Sequence, residues 1–296
     1  MTFRILIFTM LPILCVAQVS PNEDILSNNN PLIERENLAT KRNAMYNLEE
    51  IKVRWKKAAL ENCIGVPCEV AVVTPPVPVS ACGSTSTVLD FDGNSYITVA
   101  IGTQCWTKTN LKVTKYNDGT LIGDSTYSTW GTATIGARTV FNESGYSDNY
   151  GYLYNWYAAT DSRKLCPDGW HVPTDSDWNK LVKFIHSGAD TSMSLTQSTT
   201  AGVKLKSKAT RPSNPIGWNP VIPARPVTDD YGFSALPAGW RDQAGFFNDI
   251  RDRVFFWSAT ESGGGPWYRA MEHNLDGFYR NTFWKSGGFS VRCLKD

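Results

Sequence analysis

Only four aromatic residues, Phe3, Phe8, Tyr46 and Trp55, precede Cys82, although the chain carries 11 Trp, 12 Tyr and 13 Phe. Aromatic side chains bury large apolar areas, so a packed core is expected after Cys82 and not before it. The rest of the composition fits a folded protein. The 296 residues are 42% hydrophobic with a net charge of +1, which excludes a disordered chain. A near-neutral balance also argues against a protein that binds nucleic acid through a basic face. The length suits one large domain or two small ones.

Residues 1–17 read as a secretory signal. Arg4 supplies a positive start, the apolar run from Ile5 to Leu14 is short for a bilayer span, and Cys15-Val-Ala17 offers small residues for cleavage after Ala17. A membrane anchor and a lipoprotein acylated at Cys15 are the competing readings. The large Leu14 speaks against the second. No later segment is apolar enough to be transmembrane after signal cleavage. The mature chain is then neutral, with 28 acidic residues matched by as many basic ones.

Six cysteines remain after Cys15: Cys63, Cys68, Cys82, Cys105, Cys166 and Cys293. An even number in an exported chain implies disulfides. Fifteen connectivities are possible, and the spacing does not choose among them. Zinc would require paired cysteines with histidines nearby. His171, His186 and His273 are scattered, so no metal is expected.

Residues 18–63 comprise a polar, Asn-rich start and an amphipathic helix. Ala44, Leu48, Ile51, Trp55 and Ala58 share one helical face, and Glu50 and Arg54 are spaced to support it. Interleaved acids make Arg54-Trp-Lys-Lys57 a solvated face and not an anion-binding run. The stripe needs a partner: the main domain, or self-association of residues 32–63 as a short coiled coil. Residues 64–81 form a Pro-rich linker, and a Cys63–Cys68 bridge would staple the helix end. Residues 82–296 form the domain.

Within the domain, Asp92-Gly-Asn94 marks a hairpin turn. Ile97, Val99 and Ile101 are expected to line one face of the strand that follows it. Residues 112–150 read as loops with short strands. In the block Tyr150–Ala159 a helix or turn is expected, burying Leu153, Trp156 and Tyr157. Thr174 is an N-cap with Asp177 as its capping-box partner, opening a helix from about Asp175 to His186. Asp175 and Asp177 are first-turn acids favoured by the helix dipole, not a catalytic pair. The segments 254–258, 267–271, 277–280 and 288–293 read as a small antiparallel sheet ending in Cys293, with Gly263-Gly-Gly265 and Asp276-Gly277 as turns.

Several blocks in order resemble one known family. They are Asp90-Phe-Asp-Gly-Asn-Ser-Tyr96, Val99-Ala-Ile-Gly-Thr-Gln-Cys-Trp106, Asn110-Leu111, Leu153-Tyr-Asn-Trp-Tyr157, Cys166-Pro-Asp-Gly-Trp-His-Val-Pro-Thr174, Trp178, Gly232-Phe-Ser-Ala-Leu-Pro-Ala-Gly239, Phe256-Trp-Ser258 and Phe289-Ser-Val-Arg-Cys293. Together residues 88–296 resemble the Fibrobacter succinogenes major paralogous (FISUMP) domain. The resemblance implies a secreted or cell-surface protein of the Bacteroidetes–Fibrobacter kind. It also implies an α+β fold similar to C-type lectin-like and formylglycine-generating domains: a twisted antiparallel sheet, two flanking helices and long loops, here preceded by a long N-terminal helix. A cysteine near a helix pairs in such folds with one in the last strand, which implies Cys166–Cys293. That bridge closes a loop of about 126 residues, constraining the unfolded chain by roughly 4–5 kcal/mol. Cys82–Cys105 and Cys63–Cys68 then remain.

An enzyme of the formylglycine-generating kind would need a reactive cysteine pair, and none is left if all six are bridged. Ser258, Ser262, Glu261 and His273 are close in sequence, but such a grouping is commonplace and does not define a nucleophile beside a base. No catalytic residue and no cofactor is expected. The calcium-binding sugar loop of true C-type lectins has no counterpart, although loop oxygens are abundant. Binding of a glycan or protein ligand, as by an adhesin, is the expected function. Alternating strands would expose Tyr268, Glu272, Asn274, Tyr279, Asn281 and Trp284 as the ligand-binding set. A structural or appendage role through the helix, and a degenerate enzyme, are the alternatives.

Overall fold

The computed structural model describes residues 80–124, 127–141, 145–192, 195–210, 213–222 and 227–296. The expected leader, amphipathic helix, nearly all of the linker and the Cys63–Cys68 pair lie outside these residues. No helix among the described residues is long and apolar enough to cross a membrane.

The domain is α+β and mostly antiparallel. Its first sheet contains β1 (Thr87–Leu89), β2 (Ser95–Ile101), β3 (Gln104–Thr107), β7 (Trp170–His171) and β14 (Leu294–Lys295), in the order β1-β2-β3-β14-β7. The first and last strands of the described domain thus share one sheet. The turn between β1 and β2 forms because Asp90 Oδ1 accepts from the amides of Asp92 and Asn94 at 3.0 and 2.9 Å.

The burial of β2 differs from simple alternation. Tyr96 is 1% exposed and Ile97 60%, whereas Ile101 is 1% exposed. The strand lies between two cores: Tyr96 belongs to one hydrophobic cluster and Ile101 to the other. The Tyr96 hydroxyl turns inward because it donates to Asp90 Oδ2 at 2.5 Å and accepts from Lys112 N at 3.0 Å.

A second sheet runs β11 (Arg253–Ser262), β12 (Gly265–Glu272), β13 (Phe278–Thr282) and β8 (Leu195–Ser198), all antiparallel in that order. Two small sheets, β4 (Gly123–Asp124) with β5 (Ala137–Thr139) and β6 (Leu153–Tyr154), and β9 (Trp240–Arg241) with β10 (Phe247–Asn248), pin the loops.

The helices are α1 (Tyr127–Trp130), α2 (Tyr146–Tyr150), α3 (Trp156–Ala159), α4 (Asp175–Ile185) and α5 (Ala201–Leu205). Of these only α4 exceeds five residues, so among the described residues one long helix stands where two were expected. The short ones persist through tertiary packing and not by propensity. The α4 helix starts at the expected capping box: Thr174 Oγ1 accepts from Asp177 N, and Asp177 accepts from Thr174 N. Its apolar stripe, Trp178, Leu181, Val182 and Ile185, is buried against β11 and β12.

Two further expectations are corrected. The aromatic block splits into β6 and α3, and Leu153, Tyr154, Asn155 and Ala158 are wholly buried, while Trp156 and Tyr157 are half-buried. Asn155 decides this, because its side chain caps α3 through Ala158 N and also accepts from Ala137 N. Residues 288–293 do not form a strand of the second sheet. Ser290 instead bridges to Phe256, with Ser290 N donating to Phe255 O at 2.9 Å and Trp257 N to Ser290 O at 3.2 Å. This segment covers the outer edge of β11 before Leu294 joins the first sheet. Two disulfides are formed, Cys82–Cys105 and Cys166–Cys293, as the resemblance implied.

Candidate ligand-binding site

The two faces of β12 have opposite fates. Trp267, Arg269 and Met271 face α4, where Arg269 is fully buried. Asp175, the first residue of α4, accepts from Arg269 Nη2 at 2.9 Å and from Arg280 Nε and Nη2 at 2.8 Å each. Burial raises the Asp175 pKa, and these arginines outweigh it, holding the carboxyl below the ordinary range. Arg280 also stacks on Trp267, 3.4 Å from the ring centroid. One carboxylate therefore fastens two neighbouring strands to the helix.

With one face locked, Tyr268, Ala270 and Glu272 are presented on the other. Their cross-strand partners are Asn281 and Tyr279 on β13, and Trp257, Phe255 and Arg253 on β11. All of these except the buried Trp257 line a concavity of about 240 Å³. Its floor is the stacked pair Phe255 and Phe289, 5.1 Å apart, with Tyr268 5.3 and 5.2 Å from them. Trp240 and Phe283 meet edge to face at 5.3 Å and form a corner of the wall. At Gly277 a Cβ would come 2.6 Å from the Tyr279 hydroxyl oxygen, so only glycine lets that ring lie against the backbone.

The rim is polar and internally paired. Arg253 contacts Glu272 at 3.2 Å and Asp249 at 3.4 Å, and Asp249 also accepts from Trp240 Nε1 at 2.8 Å. Burial raises the Tyr268 pKa, with Arg253 opposing and Glu272 adding, so the phenol stays protonated and able to donate. Two non-glycine residues at this rim adopt left-handed backbone: Leu195 (φ 82°), which lines the hollow, and Asp249 (φ 58°), which holds Arg253 and Trp240.

Of the six residues selected from sequence, Tyr268, Glu272, Tyr279 and Asn281 line the concavity together. Asn274 lies in the exposed turn after β12. Trp284 is 66% exposed and does not line the hollow, whereas Phe283 does. Strand parity carried the signal for Phe283, since Tyr279, Asn281 and residue 283 share one face. Trp240, Phe255 and Phe289 come from separate segments, and no local pattern joins them.

The residues weighed for nucleophilic chemistry serve local structure. Ser258 is fully buried and accepts from Thr260 N at 3.2 Å. Glu261 pairs with Lys285 at 2.9 Å. His273 faces Asp252 at 3.3 Å, and Ser262 bonds within the Gly263–Gly265 turn. A second hollow of about 310 Å³ beside Asp92, Lys112 and Asp148 is lined by polar side chains, and Lys112 and Asp148 pair there at 3.3 Å.

Most of the blocks quoted above build the frame behind this face. Arg292 is inserted between Asn110, Thr107 and Phe233. Trp257 Nε1 donates to Tyr154 O at 2.7 Å. Gly239 has a φ of +66°, and a Cβ there would meet Asn248 O at 2.6 Å. The molecule is thus a disulfide-linked α+β domain in which a rigid frame presents one concave aromatic sheet face. A family model described as the Fibrobacter succinogenes major domain matches residues 99–295, well over half of the chain, and the protein belongs to this family. No curated protein matches it at a significant level, and no solved structure does.

Proposed function

We propose that the protein is a secreted or cell-surface, non-catalytic binding module that recognises a glycan or protein ligand on the concave face of the second sheet. The convergence of Tyr268, Glu272, Tyr279 and Asn281 with Trp240 and Phe283 in one hollow carries this reading. Concave, mostly aromatic sites with a few polar groups are the usual form of small-ligand pockets. Strained backbone at Leu195 and Asp249 on the rim adds support, because such strain gathers at ligand clamps.

Two disulfides and the leader-like N-terminus support export. The α+β architecture, the shared sheet of first and last strands, and the Cys166–Cys293 bridge support a C-type lectin-like fold. Residues 32–63 then serve as a stalk that can self-associate, which sedimentation of a chain lacking them would check.

The site itself is tested by screening glycan and peptide arrays with the full chain and with Tyr279→Ala. Binding that disappears in Tyr279→Ala is expected. Binding that survives both Tyr279→Ala and Asn281→Ala would place the ligand elsewhere.

A further inference from the structure

The same concave face narrows the ligand class, on the condition that it is the binding face. Its charges are already matched. Arg253 lies within salt-bridge distance of two carboxylates, Glu272 and Asp249. Arg269, buried on the reverse of the sheet, and Arg280, which also borders the hollow, share Asp175. The excess negative charge of the first group offsets the excess positive charge of the second. An anionic ligand would have to break an existing pair, and a cationic one would compete with Arg253 for its acids.

The uncommitted polar groups are of mixed kind. Among the described residues, neither the Tyr268 hydroxyl nor the Asn281 amide nitrogen has a hydrogen-bond partner. A phenol can donate and accept, a carboxamide nitrogen donates, and Glu272, paired with Arg253 through Oε2, keeps Oε1 as an acceptor. Such a set fits hydroxyl groups, each of which is donor and acceptor at once.

The β11 edge beside the hollow is closed to an extended peptide. Gly239 N donates to Arg253 O at 2.8 Å, Ser290 N to Phe255 O at 2.9 Å, and Ala259 N to Pro173 O at 2.9 Å. The outer edge of β11 is therefore already paired, which removes the main-chain ladder that strand addition requires. The hollow, about 240 Å³, suits a single ring better than a helix.

From this we infer that the concave face holds one uncharged pyranose ring of a glycan, its apolar side against the Trp240–Phe283 corner and its hydroxyls on Tyr268, Asn281 and Glu272. Indole and phenyl faces supply apolar area at low entropic cost, and the polar rim fixes orientation.

The test titrates the full-length chain by calorimetry with cellotetraose, xylotetraose and mannotriose, with trigalacturonate, and with a tryptophan-containing peptide. Saturable binding of a neutral oligosaccharide is expected, unchanged between about 0.05 and about 0.5 M salt, since no ion pair with the ligand is screened. Tyr268→Phe keeps the packed ring and removes only the hydroxyl. It and Asn281→Ala should each weaken binding about three- to tenfold, with an unchanged melting temperature showing that the fold is intact. Trigalacturonate binding more tightly than the neutral sugars, or no saturable binding of any neutral sugar, overturns the assignment. Peptide binding that is lost in Asn281→Ala overturns the sugar while keeping the binding face. Sugar binding indifferent to Tyr268→Phe, Asn281→Ala and Trp240→Ala overturns both.

Discussion

Asn110 Oδ1 accepts a 2.6 Å hydrogen bond from Arg292 Nε across 182 positions of sequence, with both side chains buried. Arg292 has no carboxylate in hydrogen-bond contact among the described residues; its Nη1 donates to the carbonyls of Thr107 and Phe233 at 2.9 Å each, and its guanidinium lies 4.5 Å from the Phe233 ring centroid. Burial pushes its pKa down to about 9, with Asp229 opposing. The guanidinium is therefore charged at neutral pH and held by carbonyl dipoles. Asn110 Nδ2 in turn donates to Tyr150 O and Ser290 Oγ. One amide joins the loop after β3, the end of α2 and the segment that covers β11.

This network should behave as a unit. Arg292→Met and Asn110→Leu should each cost about 2–4 kcal/mol, because each strands buried polar partners. The double variant should cost less than their sum by about 1–3 kcal/mol. Urea denaturation of the four proteins measures this, and strict additivity would refute the coupling.

Asp175 and Asp177 occupy the same helix turn but have different expected costs. Asp175→Asn leaves Arg269 and Arg280 without their carboxylate and should destabilise by about 3–5 kcal/mol. Asp177→Glu keeps the capping charge and should be mild, whereas Asp177→Ala removes both the cap and the pairing with the partly exposed His171 and should lose about 1–2 kcal/mol. Similar losses for Asp175→Asn and Asp177→Ala in thermal denaturation would contradict the assignment of the clamp to Asp175.

The Cys166–Cys293 bridge spans 127 positions. In the chain-entropy account its removal in the Cys166→Ser/Cys293→Ser variant costs about 4–5 kcal/mol. Calorimetry should also show a smaller loss for Cys82→Ser/Cys105→Ser, whose separation is 23.

Stability should depend on pH through His171. Its Nε2 lies 3.2 Å from Asp177 Oδ2 and its Nδ1 2.6 Å from Asp296 Oδ1. The bond to Asp177 raises the His171 pKa above the ordinary 6.5 against opposing burial, with Asp296 adding. Its contribution is complete below pH 6.5 and is lost as pH climbs through the raised value. Burial raises Asp177, but bonds from His171 and Thr174 outweigh it and hold the carboxyl far below 3.8. That contribution is present above pH 3.8 and fades as pH falls through the lowered value. The stability advantage of the native chain over His171→Gln should therefore be larger at about pH 5.5 than at about pH 8.5. Equal advantages at the two pH values would remove the linkage.

Tyr279 and Trp284 separate the concave face from the surface beside it. Tyr279→Ala should weaken ligand binding about tenfold or more, while Trp284→Ala, outside the hollow, should change it less than twofold. Calorimetric titration of both against the ligand bound by the native chain decides, and the reverse ranking would move the site to the end of β13.

The sequence alone determined the features that depend on near neighbours. The Thr174–Asp177 capping box, the Asp90–Asn94 turn and the parity that sets Tyr268, Glu272, Tyr279 and Asn281 apart from Trp267 and Arg280 are local, and each is visible within a few residues. Parity, however, does not say which face meets the helix. Asp175 decides that by fixing Arg269 and Arg280 beneath α4, which leaves the other face for Trp240, Phe255, Phe283 and Phe289 to enclose. Those four rings come from distant segments brought together by the covered edge of β11 and the Cys166–Cys293 bridge. The inward turn of Tyr96 likewise depends on Asp90 and on a second core that strand alternation does not register. Local hydrogen bonding and periodicity act over a few residues and can be read in order along the chain. The hollow is a product of long-range packing, so only the tertiary structure defined it.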